Sequence, residues 1–375
     1  MTPWYPLPDS PAAGVFVREH ARAAALFDDV AVIHLVGRTS KKRRLIELEQ
    51  VPDEPFPVIR ARYRTTKHVG WLVELTAFVK ALRDLRARGF EPDVLHANVA
   101  WGAAAAALYS RVTGLPLILS EHWTVYLDAD PNSLHGVAAL RSRLALKRAA
   151  RVLPVGSALE SAMRRVVPNA CYTVVPNVVD CELFQAPTIR PPMHPIRLAA
   201  IGLLSPQKDY PTMLRAVREL VDAGLPVRLE IIGYGDCDAQ LVRLIEESRL
   251  QNHVQLAGYL AKAEVAERLR RSHVFVHSSR FETFCAGAAE ALASGLPVVS
   301  TRCGGPEDYL TAEVGRLVPV GDPLALAAGI RDVIQRLDGF KPDRIADHAR
   351  ALFAPQVVGR QLHDLYASAH AVPSR

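Results

Sequence analysis

Short apolar runs alternate with longer amphipathic stretches along this chain, the pattern of strands and helices layered as parallel α/β. In the first half the spacing predicts strands over 30–35, 94–97, 117–121, 151–155 and 171–175, and helices over 15–26, 70–88, 100–113, 137–149 and 157–166. Pro187, Pro191, Pro192 and Pro195 then interrupt the pattern with a linker composition. The alternation restarts with a strand over 196–201 and a helix over 210–223, then a strand over 227–233 and a helix over 239–249. A strand over 254–257, a helix over 262–271 and a strand over 274–277 come next, and a helical pattern over 355–369 ends the series. The expected organisation is a domain over 1–185, a linker over 186–195, a second domain over 196–354 and a terminal helix over 355–375.

At 375 residues each domain is long enough to bury its own core. Five cysteines with no Cys-x-x-Cys spacing indicate neither a disulfide framework nor a zinc site, and no metal is expected. A reducing cytoplasm fits this usage, and no signal-peptide pattern opens the chain. Charge is uneven: residues 1–189 carry 23 Lys and Arg against 18 Asp and Glu, and residues 190–375 carry 22 against 21. The basic excess gathers in Lys41–Arg44, in Arg60, Arg62, Arg64 and Lys67, and in Arg141, Arg143, Lys147, Arg148 and Arg151. Such clusters are either solvated faces or a means of peripheral attachment to an anionic membrane surface, here the inner face of the plasma membrane. Nucleic acid is not expected, because aromatic residues are not interleaved with the charge.

The chemistry concentrates after residue 278. Glu282 and Glu290 flank a run of small residues, Phe284, Cys285, Ala286 and Gly287 among them, that reads as a helix start. That helix closes at Gly295-Leu296-Pro297 before a Val298-Val299 strand and the Gly304-Gly305 pair. A helix start offers unpaired N–H groups and the positive end of a dipole, and so can hold a diphosphate. Eight helical positions span roughly 12 Å. A glycosidase pair needs its carboxyls within about 5–9.5 Å. The wider spacing suits holding the two ends of a nucleotide sugar.

This passage resembles the Glu-x7-Glu signature of retaining glycosyltransferases of family 4, which have the GT-B fold: α/β, two Rossmann-like domains facing across a cleft. The resemblance implies that Glu282 contacts the donor sugar hydroxyls, that Glu290 contacts the ribose hydroxyls, and that the N–H groups of Phe284, Cys285 and Ala286 face the donor. It also implies that the terminal helix packs back on the first, acceptor-side domain. Trp4-Tyr5-Pro6, Gly14 to Glu19, Ser120-Glu121-His122-Trp123, Val175 to Asp180 and Leu204 to Lys208 look like further landmarks of bacterial members that build cell-surface polysaccharides. Two features depart from the family pattern. Leu203 stands where an Arg commonly partners the Lys in neutralising the diphosphate, and Met1 lies only three residues before Trp4, so the innermost first strand of the N-terminal domain is missing from this sequence or starts upstream of it.

Lys208 follows a predicted strand and is either a solvated turn lysine or a phosphate contact; Gly202 beside it would let the backbone approach the leaving group. His122 ends the strand over 117–121, at the edge where α/β proteins bind ligands, and either pairs with Glu121 or serves the sugar. Gly14 resembles part of the loop over the donor phosphates, and Gly233 follows a strand as a nucleotide-binding glycine does. The expected activity is transfer of a sugar from a nucleoside diphosphate sugar to a glycan or lipid-linked acceptor, with no cofactor beyond that co-substrate. The alternatives are a catalytically weak paralogue that binds a glycan or a partner, and a nucleotide-sugar epimerase or a phosphorylase of the same fold.

Overall fold

The computed structural model describes residues 1–7, 10, 13–39, 45–65 and 70–370. The expected basic cluster Lys41–Arg44 and Lys67 lie outside these residues, as do the last five positions of the predicted terminal helix. The chain forms two compact units, Met1–Val178 with Pro355–Arg375, and Val179–Ala354. The segment 186–195, expected as a linker, belongs to the second unit, where the Arg190 guanidinium donates to the carbonyls of Leu337 and Phe340.

The first unit holds two three-stranded sheets. One has the order β1 (Val32–Arg38), β3 (Val58–Arg64), β2 (Ile46–Gln50), with β2 antiparallel. The other is parallel, in the order β4 (Leu95–Asn98), β5 (Leu117–Glu121), β6 (Arg151–Pro154). Helices α1 (Val15–Ala24), α2 (Gly70–Ala87), α3 (Ala104–Thr113), α4 (Gly136–Arg148) and α5 (Ser157–Val166) connect or flank them. Strands β2 and β3 correct the sequence reading. The arginines at 60, 62 and 64 lie on β3, where Glu49 of β2 pairs with Arg60 at 3.3 Å and with Arg62 at 3.1 Å. Part of the expected cationic cluster is therefore neutralised within the sheet. The predicted strand over 171–175 is also corrected: it runs beside β6 with three backbone hydrogen bonds but makes only one bridge, Val152 to Tyr172.

The first residues of the chain stand between the two sheets. Thr2 bridges to His34 in parallel, with Thr2 N–H donating to Ile33 and Leu35 N–H donating to Thr2. On the other side Asn98 N–H donates to the Met1 carbonyl at 3.0 Å, and the Met1 amine donates to His96 at 2.6 Å. A cavity of about 700 Å³ lies beside this two-residue bridge, lined by residues of both sheets and by His363 and Tyr366. Helix α12 (Pro355–His370) covers the β4-β5-β6 sheet together with α1, and Val358 and Leu362 share a core with Ala24, Ile118 and Leu153.

The second unit is a six-stranded parallel sheet in the order β12 (Gly315–Val318), β11 (Val298–Thr301), β10 (Val274–His277), β7 (Ile196–Ile201), β8 (Val227–Ile232), β9 (Val254–Gly258). Around it lie α6 (Tyr210–Asp222), α7 (Asp238–Glu247), α8 (Lys262–Arg270), α9 (Ala286–Ala293), α10 (Pro323–Gln335) and α11 (Pro342–Phe353). The strand order reverses at β7 and β10, the switch point where open α/β sheets bind ligands beyond the carboxyl ends of the strands. Five alanines and a glycine let α9 lie close to this centre; a Cβ on Gly287 would come within 3.3 Å of both Ile201 and Phe275.

Candidate active site

The carboxyl ends of β7 and β10 bring Lys208 and Glu282 together. Lys208 follows the turn after β7, and its Nζ lies 2.6 Å from Glu282 Oε1. Glu282 is held in place by its backbone: its N–H donates to Cys303 at 2.7 Å and its carbonyl accepts from Gly305 at 3.0 Å. The Ser279 hydroxyl donates to the same Oε1 at 2.8 Å, and His277 Nε2 lies 2.9 Å from Ser279 Oγ and 3.4 Å from the carboxylate. The other ring nitrogen of His277 lies 3.1 Å from Ser300 Oγ.

Electrostatics follow from this arrangement. Burial on its own would push the Glu282 carboxyl up, but the Lys208 ammonium and His277 overrule it and hold the group well below the usual carboxylate range. Burial likewise opposes the Lys208 charge, and Glu282 reverses the balance. For His277 burial works downward, yet the Cys285 sulfur and Glu282 push it up to about 9. Lys208 and His277 therefore both place a nitrogen against the one Glu282 carboxylate.

Helix α9 starts at Ala286, four residues after Glu282, because Cys285 at the N-cap adopts a left-handed conformation with φ of 69°. Only Glu290 of the carboxylate pair is helical, so the straight-helix estimate of their separation does not apply over 282–285. Phe284 and Cys285 are buried, Ala286 is exposed and Glu290 is half-buried. N–H groups in the first turn of a helix have no partner within it. Beneath this end, the Phe284, Tyr309 and Phe353 rings pack with centroids 5.2–5.6 Å apart, and the Tyr309 hydroxyl lies at hydrogen-bond distance from the carbonyls of both Phe284 and Cys285.

Gly202 lies against Lys208: a Cβ there would stand 3.1 Å from Lys208 Cε. Gly233, at φ of 153°, backs directly onto Gly202, and a Cβ would fall 1.9 Å from its carbonyl oxygen. Gly233 thus supports the Lys208 turn from behind. Leu203 is exposed, and Arg280 pairs with Asp209 at 3.5 Å.

His122 and Gly14 belong to the first unit. His122 is buried, with Nδ1 3.1 Å from Asn177 Oδ1 and Nε2 3.2 Å from Asn98 Oδ1; burial and the neighbouring His20 keep it neutral. The expected pairing with Glu121 takes a different form. That carboxylate accepts backbone N–H groups from Ala100, His122 and Trp123 rather than the imidazole. Burial still pushes it up to about 7. Gly14, at φ of 70°, caps α1 beneath the Trp4–Tyr5 backbone, where a Cβ would meet Trp4 at 2.5 Å.

His277, Ser279 and Tyr309 were not singled out as site residues from sequence. The signal for the first two was available: His277-Ser278-Ser279 sits at the carboxyl end of β10, beside the switch point. Tyr309 gave no local signal.

Residues 13–183 match the family model described as Glycosyltransferase Family 4, and residues 186–351 match Glycosyl transferases group 1. A GDP-mannose-dependent alpha-mannosyltransferase of Mycobacterium tuberculosis is 32% identical over 74% of this chain and 70% of its own length. An amylovoran biosynthesis glycosyltransferase of Erwinia amylovora is 30% identical over 70% of this chain and 67% of its length. A phosphatidylinositol N-acetylglucosaminyltransferase component of Arabidopsis thaliana is 26% identical over 73% of this chain, but the match spans 61% of that protein. Among solved structures, sucrose-phosphate synthase from Thermosynechococcus elongatus superposes with a TM-score of 0.76 at 20% identity, over 96% of this chain and 93% of its own. Anabaena HepE in complex with UDP gives 0.73 at 18% identity, over 94% and 95%. This chain belongs to glycosyltransferase family 4 and has the GT-B fold, built from two Rossmann-like domains.

Proposed function

We propose that this chain is a retaining transferase that moves a sugar from a nucleoside diphosphate to a hydroxyl of a glycan or lipid-linked acceptor, in the synthesis of a surface polysaccharide. The observation that carries the reading is the convergence of the Lys208 ammonium and the His277 imidazole on the Glu282 carboxylate at the head of α9. An incoming diphosphate meets the Lys208 ammonium and the first-turn N–H groups. Names of relatives support the donor and product classes: one is GDP-mannose-dependent, another serves amylovoran biosynthesis, and HepE is held with UDP.

In the reaction, the bond between the anomeric carbon and the diphosphate oxygen breaks as positive charge grows on the sugar ring. Lys208 and the α9 head stabilise the negative charge collecting on the leaving phosphate, preorganised electrostatics that need no metal ion. Glu282 positions donor sugar hydroxyls and Glu290 the ribose. The acceptor oxygen bonds to the anomeric carbon on the face the phosphate leaves, and its proton passes to the departing phosphate oxygen. On the first unit, neutral His122 and the Asn98 and Asn177 amides that its ring nitrogens face form an uncharged polar group for orienting a sugar hydroxyl.

A lipid-linked acceptor is supported by the outward face of α4. Val137, Leu140 and Leu144 are 73%, 58% and 57% exposed, and Arg143 and Lys147 are exposed beside them. An apolar stripe flanked by cations suits an anionic membrane surface at the cytoplasmic leaflet. Among the described residues no helix is long and apolar enough to cross a membrane.

Thermal stabilisation by UDP, GDP and their sugars, on the wild type and on Glu290→Ala, tests the reading. One base should stabilise the wild type and the variant should lose that shift. Absence of any shift would overturn the donor assignment. A second reading, a weak glycan-binding paralogue, is favoured by Leu203 and predicts that Glu290→Ala leaves function intact.

A further inference from the structure

Three of the four tryptophans of this chain, at positions 4, 101 and 123, gather in the first unit although 97 and 22 residues separate them in sequence. Trp123 meets Trp4 edge-on with centroids 5.4 Å apart and lies 6.3 Å from Trp101. Phe16 extends the cluster from α1, 6.0 Å from Trp4 and 4.4 Å from the His122 ring. All four aromatic residues are half-buried, so the cluster is neither a sealed core nor a scatter of surface rings. Large aromatics this close, left partly open, have apolar faces available to a ligand.

The polar groups around the rings carry no free charge. His122 is neutral and faces the side chains of Asn98 and Asn177, and the Glu121 carboxylate is taken by three backbone N–H groups. Arg18, the nearest cation in sequence on α1, is paired with Glu19 at 3.2 Å. The Trp101 indole N–H is shut off from water, and among the described residues it has no hydrogen-bond partner. This donor lies beyond the reach of a ligand, so Trp101 contributes its ring alone.

We infer that Trp4, Trp101, Trp123 and Phe16, with His122 beside them, form a platform that stacks a neutral pyranose ring of the glycan acceptor. A pyranose has an apolar C–H face for the indoles and a rim of hydroxyls for uncharged donors and acceptors, and it makes no demand for a cation. The assignment rests on the transferase reading, which says that a sugar hydroxyl is the acceptor, and it adds which residues grip that sugar.

Tryptophan emission reports directly on the platform. In a Trp71→Phe background, which removes the exposed fourth indole, the protein is titrated with maltose, lactose and mannobiose, and with octyl phosphate as a lipid-like probe. At least one disaccharide should change the emission saturably. Trp123→Ala should abolish that change, while Trp101→Ala, which removes one ring of the platform, should weaken it about tenfold. Thermal shifts with UDP and GDP on the same samples establish that the variants fold and that the donor site is intact. If nucleotides stabilise the protein but no disaccharide alters the emission, or octyl phosphate alone does, the platform is overturned and the transferase reading stands. If neither nucleotide nor disaccharide acts, both fall.

Discussion

Replacing Lys208 by Met removes the cation from the Glu282 carboxylate and keeps most of the side-chain volume. Removing one partner of a buried ion pair costs about 3–5 kcal/mol. Here Glu282 keeps the Ser279 hydroxyl at 2.8 Å and the His277 imidazole at 3.4 Å as remaining partners. The expected loss of stability is therefore smaller, about 2–3 kcal/mol, and urea unfolding should show it. Under the proposed function the same substitution also removes a charge-assisted contact to phosphate, worth about 1.5–3 kcal/mol, or roughly 10- to 100-fold in affinity. Calorimetric titration separates the two effects when the nucleoside diphosphate and the monophosphate of the same base are compared. The variant should lose most of its preference for the diphosphate. A variant that is less stable yet binds the diphosphate as tightly as the wild type would refute the argument, leaving Lys208 a structural partner of Glu282.

His277 is raised from its ordinary value near 6.5 to about 9, so its contribution to stability is full below pH 6.5 and disappears as pH rises through about 9. Unfolding free energies across this window should fall in the wild type and lie flatter in His277→Gln; identical slopes would contradict the charged imidazole. Leu203→Arg places a second cation on an exposed position in the Lys208 turn and should tighten diphosphate binding about fivefold to tenfold, read by the same calorimetry. Replacing both Arg143 and Lys147 by Gln should weaken co-sedimentation with phosphatidylglycerol vesicles about 10- to 30-fold, at about 1 kcal/mol per basic residue. Unchanged sedimentation would remove α4 as a membrane face.

Much of the second unit was legible because its signals are local. The apolar runs of β7, β8 and β10 are bounded by turns, and Glu282, Cys285 and Glu290 occur within nine consecutive residues. The pairing of Lys208 with Glu282 spans 74 positions and was not anticipated, since the resemblance implied only that each faces the donor; the shared carboxylate, and the role of His277 in it, emerge from the fold of β7 against β10. Strands β2 and β3 went unread because alternating Arg and Glu looked like surface charge, although alternation is itself the strand period. Conversely, the 171–175 run has strand composition but lies at the edge of β6 with a single bridge. The cluster of Trp4, Trp101 and Trp123 had no sequence signal, since no periodicity links residues brought together by three separate segments.

The central claim is that the α9 head activates a nucleotide sugar with retention at the anomeric carbon. Slow hydrolysis of the donor tests it without knowledge of the acceptor, by proton NMR of the sugar anomer that first appears. From an α-linked nucleotide sugar the account predicts initial release of the α-anomer, lost in Glu282→Gln and in Lys208→Met. First release of the β-anomer, or turnover that requires inorganic phosphate in place of a nucleotide sugar, would contradict it.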